Sequence, residues 1–293
     1  MPAVAGSSGS GPEAVTSTVS AVNARNGTRL QTRSWPVDGT PRASVLIVHG
    51  LAEHSGRYER TGAILAGAGF AVSAFDLEGY GGSGGRRAWL SDWDVWLDDI
   101  EDRLAGLREE APGGPVVLLG HSMGGLVCLT YAESDRPGPD LLVLSSPWLA
   151  DTLPGWRRTV ARYGGRLLPT LSVANGFDGS TLSRDPEVGV AYLADPLAHH
   201  STTLGLGRQV VLAQERANAH LDRLRVPTFV THGSADPLVP VASSEVLAGL
   251  PRVDRKVYPD LRHETLNEPE GPKVAADMAA WIGAQLSRSS PRA

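Results

Sequence analysis

One serine, one histidine and a choice of carboxylates stand in the order that nucleophilic catalysis requires. Ser122 is the centre of Gly120–Gly124, which fits the pattern G-x-S-x-G. An apolar, β-branched run, Pro115–Leu119, precedes the motif, and a helix-tolerant run, Gly125–Glu133, follows it. A strand, a sharp turn and a helix form the setting in which this pattern exposes a nucleophile at a helix N-terminus. The pattern therefore predicts a nucleophilic serine, which needs a base and an acid further along the chain.

Elimination among the eight histidines identifies the base. A histidine suits the role because its pKa lies near working pH, so that it can take the serine proton and return it. In chains with this motif the acid follows the serine and the histidine follows the acid. Only His263 comes after the last predicted strand with a candidate acid ahead of it. We therefore predict that His263 is the base.

Two aspartates compete for the role of the acid that orients this histidine. Asp236 comes just past the end of a predicted core strand, whereas Asp260 shares a short loop with His263. An aspartate in such a loop could simply cap a turn. We favour Asp236.

Two backbone N–H groups are expected to bind the oxyanion of the reaction. One belongs to Met123, directly after the serine, and the other to Leu51, in the loop after the predicted strand Ser44–Val48. His49 lies in the same loop but precedes the nucleophile in the chain, so we interpret it as structural.

Two other chemistries find little support. Gly79–Gly84 fits G-x-G-x-x-G after a strand, but it does not open a helix directly, so we expect no dinucleotide site there. His199-His200 and His263-Glu264 have no partner at ligand spacing, and no H-E-x-x-H motif occurs. The sequence predicts neither a metal site nor a cofactor.

The elements that must position these residues alternate between strand and helix. Eight runs are predicted as strands: Thr16–Val22, Leu30–Trp35, Ser44–Val48, Phe70–Phe75, Pro115–Leu119, Leu141–Leu144, Val226–Thr231 and Arg255–Tyr258. Helices are predicted at 58–68, 92–108, 125–133, 243–248 and 272–286. This alternation predicts an α/β fold, in which helices cover both faces of a mostly parallel eight-stranded sheet. The first two strands are predicted to form an antiparallel edge hairpin.

Residues 147–207 break the alternation, because they contain helical stretches and loops but no buried-strand pattern. They predict a helical cap over the carboxyl edge of the sheet, inserted in a core of residues 13–146 and 208–293. Residues 1–12 are small and polar and predict a disordered tail.

One stretch of the cap has two distinct faces. Large apolar residues recur at helical spacing, at Trp156, Val160, Tyr163 and Leu167, and oppose Arg158, Arg162 and Arg166. This pattern predicts an amphipathic helix. It would serve either as a lid that lines an acyl tunnel and contacts lipid, or as a helix packed on its neighbours with a solvated basic face.

Composition excludes several classes of protein. With 27 basic and 32 acidic residues, the chain offers no electrostatic footprint for nucleic acid. The single cysteine, Cys128, excludes an intrachain disulfide and fits a reducing compartment. No apolar run reaches the roughly 18 residues of a membrane span, and the first residues lack the features of a signal peptide. We expect a cytoplasmic protein that contacts membranes, if at all, through the cap; no pattern specifies an oligomeric state.

Three segments together resemble the monoacylglycerol lipase family of α/β-hydrolases: His49–Tyr58, Asp76–Ser83 and Gly120–Gly125. Ser145-Ser146-Pro147, His232-Gly233 with Asp236, and His263-Glu264 fit the family as well, although Tyr80 stands where the family usually has histidine. The resemblance implies a cofactor-independent serine hydrolase that cleaves a monoacylglycerol to fatty acid and glycerol through an acyl-enzyme. It also implies that Glu53 and Arg57 lie near the polar leaving group, and a salt bridge that fixes their loop is the alternative.

The same residues leave other functions open. A lysophospholipase or a broad-specificity carboxylesterase would use the same machinery. A proline-iminopeptidase-like peptidase would need a carboxylate cluster in the cap, for which Asp178, Asp185 and Glu187 are candidates. A dehalogenase is excluded because its nucleophile is an aspartate. The alternative from another class is a non-catalytic α/β-hydrolase scaffold, against which the intact set of Ser122, Asp236 and His263 argues.

Overall fold

A computed structural model describes residues 15–150 and 154–289 of the chain. The predicted tail, residues 1–12, lies outside the described residues. Ten strands are described: β1 Thr18–Asn23, β2 Arg29–Trp35, β3 Ser44–Val48, β4 Ala71–Phe75, β5 Val116–His121, β6 Leu141–Ser145, β7 Ser172–Ala174, β8 Ser201–Thr203, β9 Thr228–Gly233 and β10 Val253–Tyr258. Eight of them form one sheet in the order β1-β2-β4-β3-β5-β6-β9-β10. All its pairings are parallel except those that β2 makes with β1 and β4, so the predicted fold class is confirmed.

The described α-helices are α1 Glu59–Gly67, α2 Asp94–Glu110, α3 Met123–Ala132, α4 Gly155–Thr159, α5 Gly165–Leu167, α6 Pro186–Ala194, α7 Leu204–Ala219, α8 Glu245–Ala248 and α9 Gly271–Ser289. A π turn, Val160–Gly164, joins α4 to α5, and 3₁₀ turns lie at Ser55–Tyr58, Gly179–Thr181, Leu221–Arg223 and Val241–Ser244. The helix predicted at 243–248 is thus only partly α-helical.

The structure differs from one sequence prediction for residues 147–207 and adds one helix that was not predicted. The segment contains β-structure, because β7 and β8 pair antiparallel in a small second sheet. The helix α7 carried no sequence prediction, since two glycines in its first turn weaken the helical pattern.

The central strands are buried on both faces, which explains their uninterrupted apolar sequences. On β5, Leu118 packs with α2, α3 and α7 on one face, while Val117 and Leu119 pack with α1 and α9 on the other. Parallel pairing brings the carboxyl ends of β3, β5, β6 and β9 to one edge of the sheet. The loops that follow these strands carry the predicted site residues.

The amphipathic helix of the cap is oriented apolar side outward. Gly155 to Leu167 form one helical stretch, in which Trp156 is 64%, Tyr163 63% and Leu167 78% exposed. The basic side faces α7, where Arg158 donates a hydrogen bond to Gln214 and Arg162 forms an ion pair with Glu215. Arg166, the third arginine of the basic side, is exposed, so this side is only partly packed against α7. No helix among the described residues is both long and apolar enough to cross a bilayer.

One carboxylate is buried without a partner. Glu133 follows α3 and is 5% exposed, and neither of its carboxylate oxygens has a hydrogen-bond partner among the described residues. Burial raises the pKa of Glu133 to about 8, although the charge of Arg216 opposes the shift. The folded protein therefore retains this proton at pH values where the unfolded chain has released it.

Glu133 should make the free energy of unfolding fall as the pH rises from about 4.5 to about 8. In this window the folded state binds more protons than the unfolded state, so a higher pH favours unfolding. We expect Glu133→Gln to raise the free energy of unfolding near pH 8 by roughly 2–4 kcal/mol and to change it little near pH 4. Urea melts at the two pH values measure this, with the exposed Glu110→Gln as the control. The same pH dependence in Glu133→Gln and in the unmodified protein would contradict the prediction.

Candidate active site

A strained turn between β5 and α3 presents the predicted nucleophile. Ser122 has φ of 53° and ψ of −116°, a conformation that L-residues avoid. The turn needs glycine beside it, because a Cβ on Gly124 would lie 2.3 Å from the carbonyl oxygen of Val48. Glycine at this position thus allows α3 to pack closely against β3 directly after Ser122.

The structure brings together the three residues predicted as nucleophile, base and acid. His263 Nε2 lies 2.8 Å from Ser122 Oγ, and His263 Nδ1 lies 2.7 Å from Asp236 Oδ2. A carboxylate only accepts hydrogen bonds, so Nδ1 carries the ring proton and Nε2 accepts from the hydroxyl of Ser122. Asp260, the competing acid, instead occupies an exposed turn with φ of 63°. The arrangement is that of a serine activated by an oriented histidine.

Electrostatics support this assignment of the protons. Burial alone would lower the pKa of His263, but the charge and hydrogen bond of Asp236 raise it above the usual value. Burial would likewise raise the pKa of Asp236, yet His263 and a second hydrogen bond from His232 hold it well below its usual range. Asp236 therefore stays ionised and stabilises a positive charge on the imidazole.

The loop that carries Leu51 lies directly beside the nucleophile. A Cβ on Gly50 would stand 3.2 Å from the Cβ of Ser122, so only glycine allows this approach without displacement. Met123 is the first residue of α3, where a helix leaves its N–H groups without intrahelical partners. Leu51 and Met123 thus lie on the two segments that flank Ser122. His49 is buried and accepts a hydrogen bond from the N–H of Leu77, in keeping with a structural role.

Glu53 and Arg57 belong to a buried polar network. Glu53 accepts hydrogen bonds from the N–H of Gly50, from the hydroxyl of Tyr58 and from Arg57. Arg57 also pairs with both carboxylate oxygens of Glu264, at 2.5 and 2.8 Å. A cavity of about 10 Å³, at the lower limit of the volume that holds a water molecule, lies beside Glu53, Tyr58 and Glu264. These contacts favour the alternative in which the pair fixes its loop, while direct contact with a leaving group stays a prediction.

Sequence reasoning missed two residues that hold the base and the acid in place. Ser146 donates a hydrogen bond from its hydroxyl to the carbonyl oxygen of His263, at 2.9 Å. His232 donates from Nε2 to Asp236, at 3.1 Å. Ser146 follows β6, His232 is the second-last residue of β9, and both belong to motifs that carried the family resemblance. That position was the available signal for a role at the site.

The glycine-rich loop, residues 79–84, directs a backbone N–H group at a buried carboxylate of the protein. The N–H of Gly82 in this loop and the N–H of Ser55 in the turn Ser55–Tyr58 donate to the carboxylate of Asp76, both at 2.8 Å. Tyr80 is fully buried, and its ring meets that of His49 edge to face. The loop thus wraps around a carboxylate of its own chain, which is a structural role.

Two further features of the described residues lie apart from the triad. A groove of about 390 Å³ is lined by Arg42, Ala68 and residues of α9, none of which carries a reacting group. The described residues contain no group of three or more His, Cys, Asp or Glu side chains arranged to hold a metal.

Comparisons with known proteins identify sequences similar to this chain. A family model described as "Serine aminopeptidase, S33" (Hydrolase_4) matches residues 39–270. The monoacylglycerol lipase of Mycolicibacterium smegmatis is 36% identical over 266 residues, which cover 89% of this chain and 95% of that protein. Human monoglyceride lipase is 37% identical over 225 residues, which cover 74% of this chain and 72% of that protein.

Solved structures of similar proteins share the architecture. The crystal structure of Paleococcus ferrophilus monoacylglycerol lipase superimposes with a TM-score of 0.77 at 33% identity, covering 89% of this chain and 99% of that one. A soluble variant of the Saccharomyces cerevisiae monoglyceride lipase, bound to a substrate analog, has a TM-score of 0.84 at 21% identity, covering 94% and 98%. The second likeness concerns the fold alone.

Replacing Asp236 should affect both the rate and its pH dependence. His263 must be neutral to accept the serine proton, so activity falls as the pH drops through its pKa. Asp236→Asn removes the strongest of the groups that raise this pKa. We therefore expect kcat to fall by roughly 10³- to 10⁴-fold and the acid limb of kcat/KM to move to lower pH. A soluble short-chain ester serves as the substrate.

Asp260→Asn is the matched control for this experiment, because Asp260 competes for the same role in the sequence. It should leave both the rate and the pH profile unchanged. A greater loss in Asp260→Asn than in Asp236→Asn would refute the choice of acid.

Proposed function

The chain belongs to the monoacylglycerol lipase family of α/β-hydrolases, and we propose that it hydrolyses monoacylglycerols to fatty acid and glycerol. The observation that carries the proposal is the hydrogen-bonded chain from Ser122 Oγ through His263 to Asp236. Relatives named monoacylglycerol or monoglyceride lipase support the substrate class, since they match this chain over most of its length. The proposed reaction needs no cofactor.

Acylation begins when Ser122 Oγ attacks the carbonyl carbon of the ester. His263 Nε2 takes the hydroxyl proton, and Asp236 stabilises the imidazolium that forms. The N–H groups of Leu51 and Met123 bind the oxygen on which negative charge develops. The bond from the carbonyl carbon to the glycerol oxygen then breaks, and His263 gives its proton to that oxygen. Glycerol leaves, and the acyl group stays on Ser122.

Deacylation repeats these steps with water. His263, neutral again, takes a proton from a water molecule whose oxygen attacks the acyl carbon. The same two N–H groups bind the second oxyanion. The bond to Ser122 Oγ breaks, the proton on His263 returns to the serine, and the fatty acid departs.

A peptidase function has weaker support, although the matching family model is described as a serine aminopeptidase. Binding a free amino terminus would call for unengaged carboxylates in the cap. Asp178 accepts a hydrogen bond from the N–H of Ser180, and Asp185 accepts one from the N–H of Glu187. Both carboxylates therefore cap helical turns, and Glu187, the third candidate, stands in the first turn of α6.

A substrate panel tests the ester specificity. We expect faster hydrolysis of monoacylglycerols than of di- and triacylglycerols, lysophospholipids and an amino-acid amide. Ser122→Ala should lose at least about a thousandfold in kcat and all labelling by a fluorophosphonate probe, with its thermal unfolding unchanged. Equal rates across the panel would refute the monoacylglycerol assignment. Labelling of the unmodified protein without turnover of any ester would favour a non-catalytic scaffold.

We further propose that this protein works in the cytoplasm and meets its lipid at a membrane surface through the cap. The apolar face of Gly155–Leu167 is exposed, and Leu168 and Leu171 extend it with 57% and 50% exposure. Large exposed apolar surfaces of this kind mark interaction sites. Arg157 and Arg166 are exposed on the same stretch, where they can approach anionic headgroups.

Sedimentation with anionic liposomes tests this contact. The double substitution Trp156→Ser with Leu167→Ser should lower the bound fraction several-fold, because it removes two of the largest exposed apolar side chains of the cap. Val246→Ser is the matched control, since this valine is 45% exposed on α8, outside the cap. Equal binding by the two variants, or no binding by the unmodified protein, would rule out the proposed surface.

A further inference from the structure

A buried charge network connects the loop of the base to the loop of the oxyanion donor. Glu264 follows His263 directly and forms a bidentate ion pair with Arg57. Arg57 also reaches Glu53, and Glu53 accepts the N–H of Gly50, one residue before Leu51. The three charged side chains are between 4% and 10% exposed. A continuous set of charge-assisted hydrogen bonds thus runs between the two loops, although 207 residues separate Arg57 from Glu264.

We propose that Glu264 is a positioning residue, whose ion pair with Arg57 fixes the base His263 relative to the oxyanion donor at Leu51. The inference rests on the proposed function, because it assigns a task to the same site. Acylation needs the base at Ser122 Oγ and the N–H groups at the oxyanion in one geometry. Loops are the mobile parts of a fold, so a tie between them preserves that geometry.

Hydrogen bonds also fix the backbone of the loop that carries His263, on either side of the ion pair between Glu264 and Arg57. The N–H of Glu264 donates to the carbonyl oxygen of Leu182 at 2.8 Å, and Ser146 holds the carbonyl of His263. Asn267 donates to Glu264 Oε2 at 2.9 Å, which leaves the carboxylate fully engaged. The side chain of Glu264 therefore has one orientation, and it points at Arg57.

The burial of these charges argues for a role beyond stability. Moving charged groups out of water costs several kcal/mol for each ion, and apolar residues of similar volume often serve stability as well or better. Bidentate geometry makes the pair between Arg57 and Glu264 one of the strong and specific kinds. Geometric fixation is what such a pair supplies and an apolar contact does not.

The charges of the network also affect the pKa of the base, His263. Burial lowers the pKa of His263, whereas the charges of Asp236, Glu264 and Glu53 raise it. His121, whose ring centroid lies 4.9 Å from that of His263, stays neutral, because burial lowers its pKa to about 4. Loss of the charge on Glu264 should therefore ease deprotonation of the imidazolium and move the acid limb of the pH profile to lower pH.

Glu264→Gln tests the proposal, because it keeps the shape of the side chain and removes its charge. We expect kcat to fall roughly 10- to 100-fold with KM near its original value, since the geometry of the reacting groups changes while the acyl site does not. Labelling by a fluorophosphonate probe should slow in parallel, and the acid limb of kcat/KM should move to lower pH. Glu264→Asp, which keeps the charge, should retain the position of that limb.

A double-mutant comparison locates the effect in the network. If Glu53→Gln and Glu264→Gln act through one connection, the loss in the double variant will be smaller than the product of the two single losses. Glu270→Gln is the matched control, because its carboxylate pairs with Arg184 at the surface, six residues after Glu264. It should leave kcat, labelling and the pH profile unchanged.

Two results would overturn the inference. One is a Glu264→Gln variant with a lower unfolding temperature but unchanged kcat, labelling rate and pH profile, which would make the pair structural only. The other is a higher KM with unchanged labelling, which would make Glu264 a substrate contact. Failure of the unmodified protein to react with the probe would instead refute the proposed function itself, so the two failures are distinguishable.

Discussion

The backbone conformation of Ser122 is the constraint on which the rest of the site depends. A positive φ at a residue with a side chain costs on the order of 1–3 kcal/mol and persists only when its surroundings enforce it. Here the N–H of Ser122 donates to Ser145 on β6, and its carbonyl accepts from Leu126 and Trp148. The buried strands on both sides of this turn hold the backbone of Ser122 in this conformation. The hydroxyl is therefore presented by the core of the protein, and every other group at the site is arranged around a fixed point.

Much of this arrangement could be predicted from the sequence, because its signals are local. Uninterrupted apolar runs identified the parallel strands, and the residues after their carboxyl ends had to meet at one edge of the sheet. Ser122, Asp236 and His263 each stand in such a position, which is why chain order and strand ends were enough to select them. Asp260 follows the same rule: although it is closer in sequence to the base, it lies in an exposed turn, and the carboxylate bonded to His263 is that of Asp236.

The remaining features depend on contacts that a local pattern does not encode. Amphipathicity predicted two different faces for the helix that begins near Trp156, but only α7, which supplies partners for Arg158 and Arg162, decides which face meets solvent. The short strands β7 and β8 form because two distant segments pair. The ion pair between Arg57 and Glu264 could not be predicted from the sequence either, because Glu264 lies in a loop whose position depends on β10 and α9.

The two histidines beside Ser122 show how environment, and not residue type, assigns the base. His121 and His263 are both buried, so desolvation disfavours the charged form of each. His121 directs Nδ1 at the carbonyl oxygen of Ser145, a neutral acceptor, and the nearby His263 lowers its pKa further. His263 has the carboxylate of Asp236 at the same ring atom and the charges of Glu264 and Glu53 nearby. The pKa values of the two histidines are therefore displaced in opposite directions, and this difference leaves the role of the base to one of them. Only His263 can gain a proton at moderate cost, and only it reaches the hydroxyl of Ser122.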